Sequence, residues 1–166
     1  MESLRDRYAD LDVILSSSRP NIVGLQEVIK SDIGGDMLID DRRFSFLYPP
    51  LADIASSTWI FDHDSEVLFT ADGFGSLLDD VGESELTYDE TKENITAENI
   101  RRYHEDELIW LKYVDPDKIR HHVEEILREY DPSWLAPTHG HPIPSDDIED
   151  YLDKLSEGMT KIAAAR

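Results

Sequence analysis

No cysteine occurs among the 166 residues, which removes disulfides, thiolate zinc sites and cysteine nucleophiles together. Any metal would have to be held by His, Asp and Glu. There is no apolar run of about 18 residues, the length a membrane-crossing helix needs, and no basic, apolar-cored leader, so a cytoplasmic protein without a membrane partner is expected. Gly-x-Gly-x-x-Gly and Walker loops are missing, which leaves nucleotide binding unsupported. So is a Gly-x-Ser-x-Gly elbow, and the consecutive Ser16, Ser17 and Ser18 therefore carry no hydrolase signature. Basic side chains are scarce, 16 Lys and Arg against 37 Asp and Glu, for a net charge of −21. A nucleic acid would be repelled by such a chain.

What is present suffices for one domain spanning 1–166, because 40% apolar residues in a chain of this length can build a single core. The acidic excess therefore reads as salt adaptation rather than disorder, as in a protein of a halophilic archaeon. At molar salt the Debye length falls to about 3 Å, so like charges on the surface stop repelling one another.

Hydrophobic periodicity and turn residues give the order of elements. A charged helix is expected over 2–10, a buried strand at 12–16, and a helix opening at Asn21 and running to Lys30. Short strands follow at 37–39 and 44–48, the second stopped by Pro49-Pro50. The runs 57–61 and 66–70, joined by Asp62-His63-Asp64-Ser65, read as a hairpin. Residues 79–99 hold eight acidic side chains and one lysine, which predicts a mobile, solvated loop entering a helix near Thr96. Asp115-Pro116 opens an amphipathic helix closed by Asp131-Pro132. A last strand at 133–136 leads to Pro137-Thr138-His139-Gly140-His141-Pro142, and a helix capped by Ser145 ends the chain.

Two side chains stand just past strand ends, where α/β folds gather binding groups. Asp72 follows the strand at 67–71 and His139 follows the strand at 133–136, each beside a glycine that permits close backbone approach. Carboxylate and imidazole together suit Fe, Mn or Zn. The plainer alternative makes both of them turn residues. His141 is also expected in a turn, His63 and His104 in solvent, and His121 and His122 as structural neighbours of an apolar helix face.

The segment Glu66-Val-Leu-Phe-Thr-Ala-Asp72-Gly-Phe-Gly75, with Leu135-Ala-Pro-Thr-His139-Gly140 downstream, resembles the metallo-β-lactamase superfamily, and within it the di-iron domain of flavodiiron proteins, which reduce dioxygen or nitric oxide. The resemblance extends over nearly the whole chain. It implies an α/β fold, the αββα sandwich of that superfamily, incomplete on its N-terminal side. It also implies that Asp72 occupies the position of the residue bridging two irons and His139 that of an iron ligand. A further family histidine falls on Asp53. The family's His-x-Glu-x-Asp-His cluster falls on Ser17, Arg19, Asn21 and Ile22, none of them an equivalent ligand.

The resulting expectation is a metal set reduced to Asp53, Asp72 and His139, with no catalytic residue assigned and a structural or regulatory role. The alternative is a hydrolase or oxidoreductase holding one Fe, Zn or Mn ion on those three residues. Arg19 could instead bind an anion in the vacated pocket. The missing opening strands would leave a sheet edge and an apolar face to be covered by a second chain or a copy of the same one, predicting a homo-oligomer.

Overall fold

A computed structural model describes residues 13–16, 28–54, 57–77 and 86–165. The expected helix at 2–10 and the family-cluster positions Ser17, Arg19, Asn21 and Ile22 lie outside the described residues. Among the described residues the strands form two sheets. β1 (Val13–Ser16) and β2 (Val28–Ser31) pair in parallel, Val13 opposite Val28. Residues 28–30, read above as the end of a helix, are therefore strand. The adjacent β-branched pair Val28-Ile29 fits a pleated surface, and its apolar spacing is too short to distinguish the two periods.

The larger sheet runs in chain order, β3 (Asp36–Ile39), β4 (Arg42–Leu47), β5 (Trp59–Asp62), β6 (Val67–Ala71), β7 (Trp134–Pro137) and β8 (Ile143–Pro144). All neighbours are antiparallel except β6 and β7. The β3–β4 turn places Asp40 and Asp41 at φ 48° and 69°, the left-handed pair that suits a two-residue hairpin. The expected hairpin is β5–β6. Its turn is held by the buried Asp62 carboxylate, which accepts from the Asp64 amide at 3.1 Å and the Ser65 hydroxyl at 2.6 Å and pairs with Arg42.

Between β6 and β7 the described residues form three helices, α1 (Tyr88–Thr91), α2 (Ala97–Glu107) and α3 (Pro116–Tyr130), with a 3-10 segment at Ile109–Tyr113 between the last two. Asp115 caps α3 ahead of Pro116, as its sequence predicts, and Asp131 ends it in left-handed backbone. α4 (Ile148–Ala164) closes the chain, entered through a 3-10 turn at Ser145–Asp147 and without the side-chain cap expected from Ser145.

The helices share one face of the large sheet. Trp59, Phe61, Leu68 and Leu135 point to that face and meet Ile100, Val123, Ile126, Leu152 and Leu155 in one core. Of the acidic stretch, the part from Leu86 to Asn99 is described and is largely folded, with Tyr88, Thr91 and Ile95 buried while Asp89, Glu90, Glu93 and Glu98 are exposed. The opposite sheet face carries Phe44, Ile60 and Phe69, which with Ile14 and Ile39 border an apolar groove of about 360 Å³ between the two sheets. Phe69 remains 44% exposed there.

Candidate functional site

The loop after β6 is built to hold Asp72 in place. Thr70 donates its hydroxyl to the Gly73 carbonyl at 2.8 Å, and the Gly73 amide returns to the Thr70 carbonyl at 2.8 Å. A Cβ on Gly73 would stand 2.8 Å from the Trp59 ring, so only glycine allows this packing. Phe74 then stacks on Trp59 and Tyr151, at centroid distances of 5.8 and 5.6 Å. The turn, with left-handed backbone at Ala71 (φ 47°) and Phe74 (φ 63°), is thus anchored on three core aromatics.

The turn after β7 is stitched to that loop. The Thr138 amide donates to the Ala71 carbonyl at 2.7 Å, and the Ser76 amide to the His139 carbonyl at 3.3 Å. Gly140 has φ +105°, and a Cβ on it would lie 2.7 Å from Ser76 Oγ. These contacts bring His139 Nε2 within 3.6 Å of Asp72 Oδ1, the Asp72 side chain being 19% exposed and that of His139 57%.

Asp53 joins them from the loop before β5. It accepts a short hydrogen bond from the Ser57 hydroxyl and is hydrogen-bonded to Asp72. Two carboxyls so placed shift in opposite directions. Burial pushes Asp72 up from the usual carboxylate range, and the neighbouring negative charge of Asp53 adds to it, while His139 pulls the other way. Burial also acts on Asp53, but its hydrogen bonds from Ser57, the Ile54 backbone and Asp72 outweigh it and hold that carboxyl low.

Asp53, Asp72 and His139 thus lie together at the loop ends, although among the described residues no group of three or more His, Asp or Glu is arranged to hold a metal ion. His141 is turned away to the Leu86 carbonyl, 3.1 Å from its Nδ1, and is buried. Three further expectations need correction. His104 is fully buried rather than solvated, since α2 directs Ile100, Tyr103 and His104 inward. His121 and His122 are exposed, because the buried face of α3 runs through Val123 and Ile126. His63 is half-buried, 2.7 Å from the Ser45 hydroxyl and packed edge-on against Phe61.

Tyr103 and Glu107, one helical turn apart on α2, complete the surroundings and were not singled out by sequence. Tyr103 lies 6.0 Å from the His139 ring, and its hydroxyl is raised by burial and by Asp72, Glu107 and Asp53. A cavity of about 500 Å³ opens between Tyr103, Glu107, Ser76 and the His139 turn.

No protein-family model and no curated protein matches the chain. Solved structures do. A flavo di-iron protein mutant from Thermotoga maritima superposes with TM-score 0.69 at 18% identity over 93% of this chain and 37% of that one. The flavodiiron protein from Giardia intestinalis gives 0.70 at 15% over 96% and 39%. A chemotaxis sensor, ODP, described as a peroxy diiron species, gives 0.58 at 19% over 87% and 59%. The chain therefore spans well under half of the two flavodiiron proteins and 59% of the sensor. The mixed α/β fold is that of the metallo-β-lactamase-like domain of flavodiiron proteins.

Proposed function

We propose that this chain keeps the flavodiiron-type fold without running di-iron chemistry, and acts through binding as a structural or regulatory partner. The observation that carries the reading is how few donors gather at the loop ends. Two metal ions need roughly four or more donors each. Here the candidate donors are three, Asp53, Asp72 and His139, and Asp53 already accepts from the Ser57 hydroxyl. If the resemblance aligns Ser17, Arg19, Asn21 and Ile22 with the family's first ligand cluster, that cluster supplies no equivalent ligands. The donor set does not fit a di-iron pair, and no step is derived through one. A similar fold serving a chemotaxis sensor makes a regulatory role consistent with the architecture.

The reading extends to a cytoplasmic setting in a halophilic organism, supported by the net charge of −21, and to a homo-oligomer or second chain covering the apolar groove. The second reading, one Fe, Zn or Mn ion on Asp53, Asp72 and His139 for hydrolytic or redox work, is favoured by the 3.6 Å approach of His139 to Asp72. Metal analysis of protein purified in high salt without added metal tests the proposal. It expects far less than one ion per chain, and two irons per chain would overturn it.

A further inference from the structure

We draw no further inference here: the strongest candidate, the apolar groove between the two sheets lined by Ile14, Ile39, Phe44, Phe46, Ile60 and Phe69, is an unpartnered sheet face, and nothing in the structure shows what covers it.

Discussion

Burial sets the protonation state of His104 and gives the fold an acid-sensitive point. Its Nδ1 lies 2.8 Å from the Ile100 carbonyl, its Nε2 has no hydrogen-bond partner among the described residues, and burial pushes the ring down from 6.5 to about 4. Above pH 6.5 the ring is neutral in both folded and unfolded chains. As pH falls below that value the unfolded chain takes up a proton that the folded one refuses, so stability is lost progressively down to about pH 4. Between pH 7 and 5 the loss should be about 2 kcal/mol in urea unfolding, and His104→Leu should flatten it; an unchanged slope would contradict this account. Sequence placed Asp72 and His139 correctly at strand ends, because chain position alone carries that signal. It could not reveal Tyr103 or Glu107, since an inward tyrosine on a helix looks like core. Asp53 reached the group only through the family resemblance, as no strand end or motif marks it.

Among the elements, α3 and α4 are joined by one side chain. Arg120 donates to Glu124, Asp153 and Glu149, each at 2.7 Å, and to the Ser156 hydroxyl at 3.1 Å. Arg120→Met, which keeps the apolar stem, should cost about 1 kcal/mol in urea unfolding at low salt and less at molar salt, where surface pairs are screened. A cost independent of salt would show that packing, not charge, sets its value. The elements legible in sequence were those with strong local chemistry: the β5–β6 hairpin, the Asp115-Pro116 start of α3, and β7. Those misread had ambiguous chemistry. Val28-Ile29 satisfies either period and became β2, the two-residue β8 is too short to show one, and the inward Tyr88, Thr91 and Ile95 were hidden among acids.

At the scale of the molecule, a net charge of −21 on 166 residues opposes compaction unless it is screened. The proposed salt adaptation expects the thermal midpoint to rise steadily from low salt to molar KCl, and a flat or falling midpoint would contradict it. The central claim concerns the loop cluster, where Asp53, Asp72 and His139 are too few donors for a di-iron pair. Anaerobic ferrous titration of the intact chain, followed by Mössbauer spectroscopy and repeated on an Asp72→Ala/His139→Ala variant, tests it most directly. The claim expects no coupled di-iron signal and the same weak uptake in both proteins; two tightly bound, coupled irons that vanish in the variant would contradict it.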